Sequence, residues 1–336
     1  MLRIHFTDAD LARTTVAAQC DPLWEVAMSL HRFQTRAGRW AYAEWYRTTR
    51  LRLGEQQLDH LVREVLVPLF PRAAYFPDFL TPRTAGGEGL DAGFDAVMST
   101  SGRRILDELA LFDRVVGAPQ WARRLAGTRE RAEFMEAVRV YHAAAVAPVT
   151  EEMQARAHAE RSARTRDVMN GGIHGMLGGL GPTMRWQPPV LTVHYPVEDR
   201  DLHLRGRGLR LIPSHFCWQN PITLADPELP PTLVYPMLHE PAAPVPAAPL
   251  TALLGRTRAT VLWVTAAGAG ATTSEIARAV GISAPSASKH AAVLREAGLL
   301  VSNRRAAHVL HTLTPAGASL LRASRGRQEG RPEQLL

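Results

Sequence analysis

The stretch from Thr272 to Pro315, TTSEIARAVGISAPSASKHAAVLREAGLLVSNRRAAHVLHTLTP, narrows what this chain can fold into more than any other. Thr272 followed by Glu275 has capping-box spacing, so a helix is expected there, burying Ile276 and Val280. Gly281 ends that helix and Ile282 tucks into the turn. Ser283 then caps a second helix that tolerates Pro285 in its first turn. Ala287, Ala291, Leu294 and the later Leu299 give this second helix and its exit an apolar face. Ser286, Lys289, His290 and Val293 lie on other faces, the first three as a polar, partly basic stripe. Gly298 stops the helix. Leu299 to Ser302 and His308 to Leu313 read as strands joined by an arginine-bearing tip, Asn303-Arg304-Arg305. Two helices about a tight turn, followed by a hairpin, suit the DNA major groove and the adjoining backbone.

These residues resemble the ArsR-type winged-helix regulators. The resemblance is carried by Ser288-Lys289-His290, by Val293-Leu294-Arg295-Glu296-Ala297-Gly298-Leu299 and by Thr314-Pro315-Ala316-Gly317. Leu253-Leu254-Gly255-Arg256-Thr257-Arg258 is similar to that family's first helix. Together they cover about the last quarter of the chain. Ala291 stands where the family usually has leucine, which implies looser packing of the second helix. In such a domain Ser286, Lys289 and His290 face the groove, with Ser283 and Ser288 near phosphates. Arg304 and Arg305 on the wing reach the backbone or minor groove.

The location of the charge agrees. The 336-residue chain has a net charge of +7. Between Leu250 and Arg325 stand nine basic residues against Glu275 and Glu296, whereas the stretches on either side balance. The excess therefore sits on the helix-turn-helix segment, as phosphate neutralisation requires and a merely solvated surface does not. Cys20 and Cys217 are too few for a disulfide framework and fit a reducing compartment. No apolar run approaches the ~20 residues of a membrane span. The start of the chain alternates like a strand, unlike a signal peptide. The expectation is a cytoplasmic protein without a membrane partner.

From the front, Leu2, Ile4 and Phe6 share one strand face. A helix is expected from Leu11 to Ala18, another from Asp21-Pro22, and more from Trp40 to Leu53 and Glu55 to Val67. Prolines 68, 71, 77 and 82 break the next stretch, residues 84–90 form a glycine-rich loop, and Leu90 to Arg166 is again helical. Gly171 to Gly179 lacks the ending of a phosphate loop and reads as a helix end and turn. After Pro182 the period turns extended, with strands at residues 190–195, 201–204, 209–212 and 232–235. Pro213-Ser214-His215-Phe216 and Thr232 to Pro236 resemble the large amino-terminal domain of one branch of ArsR-like regulators, a domain of unassigned role. The proline-rich run at residues 240–249 is the clearest boundary.

Metal and catalytic signatures are missing. The winged segment holds no cysteine, so the family's cysteine-pair metal sensor is absent. His308 and His311, at odd spacing, fall on opposite faces of one strand. The front histidines lack ligand spacing, and no nucleophile elbow or HExxH helix occurs. The expectation is a non-enzyme with no cofactor and no metal. The fold class expected is α+β: a mostly helical amino-terminal domain (1–239) with a small antiparallel sheet, the linker 240–249, a winged helix-turn-helix (250–325) and a disordered tail (326–336). The function expected is a homodimeric, sequence-specific transcriptional regulator, a repressor, on a palindromic operator in double-stranded DNA. Its front domain senses a small-molecule effector or builds the dimer, and the aromatic supply there (Trp24, Trp40, Trp45, Tyr75, Phe76, Phe79, Trp121, Trp186 and Trp218) suits either an apolar pocket or the core. The alternative is a protein-interaction adaptor that keeps the fold without DNA affinity; the located charge argues against it.

Overall fold

The computed structural model describes all residues except 40, 74, 84–88, 196–198, 238–247, 268–269, 306–307 and 326–336. Of 248–249, 267, 304–305, 308 and 322–325 it describes the backbone alone. The expected glycine-rich loop and proline-rich linker therefore fall mostly, and the expected tail wholly, outside the described residues. The chain divides into two compact units, one of Met1–Thr35 with Thr48–Leu238, the other of Arg36–Arg47 with His239–Leu336.

The first unit opens with β1 (Leu2–His5), whose Leu2 and Ile4 are fully buried. Thr7 and Asp10 close a capping box, Asp10 N donating to Thr7 Oγ1 at 3.3 Å and Thr7 N to Asp10 Oδ2 at 2.8 Å. The helix they start, α1 (Asp8–Arg13), stops well short of Ala18, where the helical spacing had carried it. Thr15–Val16 becomes β2 instead, because pairing alongside a distant strand outweighs local helix preference. α2 (Pro22–Gln34) starts where Asp21 accepts the N–H groups of Leu23 and Trp24. Its residues Leu23 to Arg32 are all buried, so this is a core helix.

There follow α3 (Ala43–Glu55), whose start through Arg47 belongs to the second unit, a π-helical segment Leu61–Leu66 and a short 3-10 turn Asp78–Leu80. Next come α4 (Leu90–Ser99), α5 (Gly102–Val115), α6 (Thr128–Ala145) and α7 (Thr150–Gly178). α7 corrects the expected helix end at the glycine run. It kinks at Gly171 and Gly172, the latter at φ 61°, and then resumes. Gly175 is needed there, since a Cβ would lie 2.7 Å from the Asp167 carbonyl oxygen.

The strands are β3 (Met184–Gln187), β4 (Val190–Val193), β5 (Arg200–His203), β6 (Arg210–Ser214), β7 (Ile222–Thr223) and β8 (Thr232–Pro236). They form two four-stranded sheets with β1 and β2, in the orders β3-β4-β1-β5 and β2-β6-β8-β7. The α+β class holds, but both sheets are mixed, correcting the single small antiparallel sheet expected. β1 runs antiparallel to β4 and parallel to β5, while β2, β6 and β8 run parallel and β7 antiparallel to β8. Two of the parallel pairings, β1 with β5 and β2 with β6, arise because the first sixteen residues insert beside strands almost two hundred positions away. The two sheets share one core, from Leu2 and Ile4 through Leu191 and Leu211 to Leu233 and Tyr235.

Buried carboxylates fasten the loops of this unit. Asp78 accepts the N–H groups of Ala225 and Asp226, and Glu108 that of Phe79. Burial pushes the pKa of both upward.

The second unit contains α8 (Ala248–Leu254) and α9 (Arg256–Ala267), separated at Gly255, whose φ of 76° favours glycine. It continues with β9 (Ala271–Thr272), α10 (Thr273–Val280), α11 (Ala284–Glu296), β10 (Leu300–Arg305), β11 (His308–Leu313) and α12 (Pro315–Arg325). Its sheet has the order β10-β11-β9, and Leu262, Ile276, Ala287, Leu294 and Leu300 are among the residues of its core. Thr314-Pro315-Ala316-Gly317 has a local reason. Thr314 Oγ1 donates to the Gly298 carbonyl at 2.6 Å and accepts the Gly317 N–H at 3.0 Å. Gly317 lies so close to the Leu299 carbonyl that no Cβ fits. No helix among the described residues is long and apolar enough to cross a membrane.

Candidate nucleic-acid interface

Thr272 begins α10 as its spacing with Glu275 predicts. Glu275 N donates to Thr272 Oγ1 at 3.3 Å, and Glu275 Oε2 accepts the Thr272 N–H at 2.8 Å. Gly281 ends the helix in the left-handed conformation (φ 72°, ψ 34°), and Ile282 N returns to the Ala277 carbonyl at 2.9 Å. Ser283 then caps α11, its Oγ accepting the Ser286 N–H at 3.3 Å and donating to Ser286 Oγ at 2.9 Å. Three residues thus turn the chain from one helix into the next. Ser283 is engaged in starting the second.

On α11, Ala287, Ala291 and Leu294 are buried at helical spacing and seat it in the core. Ala291 is fully buried, so the helix is held despite the small side chain there. At 100° per residue the opposite face carries Pro285, Ser288, Lys289, Ala292 and Val293. Ser288 and Lys289 are exposed, whereas Ser286 and His290 are half-buried along its flank. Val293 is 42% exposed, an apolar group on the outward face that the reading of the stripe as polar left out. Its signal was the same periodicity, since it stands four residues beyond Lys289.

β10 runs to Arg305 in register with β11, pairing Arg304 with Val309 and Arg305 with His308. This corrects the expected strand end at Ser302: Asn303, Arg304 and Arg305 finish the strand and are not a separate tip. His311 does not lie free. It is buried, with Nδ1 2.8 Å from Ser302 Oγ and Nε2 3.0 Å from Thr273 Oγ1, so it joins both wing strands to the start of α10. Burial and then the Arg295 charge lower its pKa. Replacing it, His311→Phe, leaves two hydroxyls without their partner and is expected to cost about 1–3 kcal/mol of stability, read by denaturant unfolding. A loss below about 0.5 kcal/mol would remove this bridging role.

The described cations of the segment are left without acidic partners. Arg256, Arg258, Arg278, Lys289 and Arg295 are exposed, and none has an ion-pair partner among the described residues. In the first unit, by contrast, several arginines are spent on carboxylates, Arg104, Arg139 and Arg164 among them. Unpaired exposed cations are what phosphates would meet. Among the described residues no group of three or more His, Cys, Asp and Glu could hold a metal ion.

A family model described as a helix-turn-helix domain matches residues 241–303, a stretch that includes α8 to α11 and the start of β10. Neither the curated proteins nor the solved structures contain a match. The chain therefore carries a helix-turn-helix domain of the kind found in DNA-binding regulators, in its carboxy-terminal part.

Proposed function

We propose that the protein is a sequence-specific, DNA-binding transcriptional regulator, a repressor of ArsR-like type that acts as a homodimer. The observation that carries this reading is the pairing of an outward α11 face, Ser288-Lys289 with Val293, with exposed cations of the same unit that lack acidic partners among the described residues. In the groove Lys289 offers hydrogen-bond donors to guanine edges and Val293 an apolar contact for a thymine methyl group. Ser286 and His290 stand at the flank of that face, Ser283 and Ser288 near the phosphates, and Arg304 and Arg305 on the wing. Two-fold pairing supplies the second reading helix that a palindromic operator needs. The front unit senses an effector or contributes to the dimer, and no catalytic role or metal is assigned.

Substitution separates the roles. Lys289→Ala and His290→Ala are expected to reduce discrimination between operator and unrelated duplex by about 1–3 kcal/mol each. Arg304→Ala and Arg305→Ala should weaken binding to all duplexes alike. Equilibrium titration of each variant on both DNAs reads this. Four variants with one common pattern would overturn the groove assignment, and no affinity for any duplex would leave the adaptor reading.

A further inference from the structure

The first unit encloses a cavity of about 380 Å³ that no part of the DNA-binding reading uses. That is within the ~300–1,000 Å³ of small-molecule sites. Tyr75, Phe76 and Trp218 contribute three aromatic walls, Met28 an apolar one. Arg32 and Arg72 bring two guanidinium groups, while no carboxylate is among the described lining residues. Arg72 is exposed and its side chain has no ion pair among the described residues.

The polar group that specifies most is His31. It is only 5% exposed, it lines the cavity, and its Nε2 has no hydrogen-bond partner. The ring hydrogen-bonds to the Pro71 carbonyl, which assigns that bond to Nδ1–H. Burial first, and then the charges of Arg32 and Arg72, hold the imidazole neutral by lowering its pKa to about 3. Nε2 is then a lone-pair acceptor that no donor of the site reaches. A buried polar atom left in this way is costly unless an incoming molecule pairs it.

We propose that this cavity binds a small aromatic carboxylic acid carrying a ring hydroxyl, its ring between Tyr75, Phe76 and Trp218, its carboxylate toward Arg72 and Arg32, and its hydroxyl donating to His31 Nε2. The proposal deepens the effector-sensing part of the function above and rests on that part only for its consequence on DNA. Aromatic rings stack on such walls, and guanidinium groups match carboxylates geometrically.

The test is calorimetric titration of the full chain with 4-hydroxybenzoate, benzoate and methyl 4-hydroxybenzoate. The hydroxy acid should bind at one molecule per chain, and the other two about tenfold more weakly, each lacking one polar contact. Arg72→Gln, an exposed change that leaves the core untouched, should erase the difference between acid and ester. His31→Phe should erase that between 4-hydroxybenzoate and benzoate; should it fail to fold, the Arg72→Gln result still decides. Equal binding of all three compounds, no binding by chain whose circular dichroism shows it folded, or an unchanged acid-to-ester ratio in Arg72→Gln would overturn the site. The same acid added to a protein–DNA complex tests the other claim separately. Binding to the chain with no change in DNA affinity keeps the site and removes its role as an effector site.

Discussion

Raising the salt from about 50 to about 200 mM should weaken binding of this protein to duplex DNA by about three to four orders of magnitude. The excess of +7 lies within residues 250–325, and the described cations there are exposed and unpaired. Each phosphate neutralised releases condensed counterions and adds about −0.9 to the slope of log affinity against log salt. Seven contacts per copy therefore give a slope near −6, which over a fourfold salt range amounts to a loss of about four-thousandfold. Fluorescence anisotropy of a labelled duplex at a series of salt concentrations measures it. A slope shallower than about −2 would show that the charge does not meet the backbone.

Glu25→Ala is expected to cost the first unit about 3–5 kcal/mol, a large share of the ~5–15 kcal/mol that holds a domain folded. Glu25 is fully buried on α2, where Oε1 accepts the His215 N–H at 2.7 Å and Oε2 the Phe216 N–H at 3.0 Å. Truncation strands both donors at about 1–3 kcal/mol each and opens a void. The same carboxyl fastens the segment that leads to Cys217 and Trp218 of the cavity. Burial raises its pKa from 4.5 to about 7. The folded chain thus keeps a proton that the unfolded chain has lost, and Glu25's contribution declines as pH rises from about 4.5 to about 7. The gap in unfolding free energy between wild type and Glu25→Ala should narrow over that window and be constant above it. A gap under about 1 kcal/mol throughout, or one that widens with pH, would contradict this account.

Residues that act within one turn were legible in the sequence. Thr272 with Glu275, Gly281, Ser283 with Pro285, and the buried Ala287, Ala291 and Leu294 follow from capping and periodicity, because each needs only neighbours three or four positions away. Features that depend on distant partners were not. β2 pairs with β6 and β1 with β5 across almost two hundred residues, and neither strand advertises its parallel partner. His311 looked like a spare histidine on a strand; only the fold brings Ser302 and Thr273 to its two nitrogens. Pro213-Ser214-His215-Phe216 stood out as a motif without a reason. The reason is Glu25, about 190 positions earlier, which takes two of its backbone donors. His31 escaped notice because a lone histidine on a core helix has no spacing to betray it, and only the fold separates Tyr75, Phe76 and Trp218, which line the cavity, from the other six aromatics of the front domain named with them.

Selection of bound duplexes from a random pool by the full chain, at a salt concentration that suppresses nonspecific contacts, tests the central claim most directly. The account predicts that a two-fold symmetric site emerges, with half-sites about one helical turn or a multiple apart. It also predicts that the Lys289→Ala chain, folded and still salt-sensitive, enriches that site far less. A pool whose sequences remain random after repeated rounds, while the protein stays folded and bound to DNA, would contradict the assignment of α11 as a reading helix.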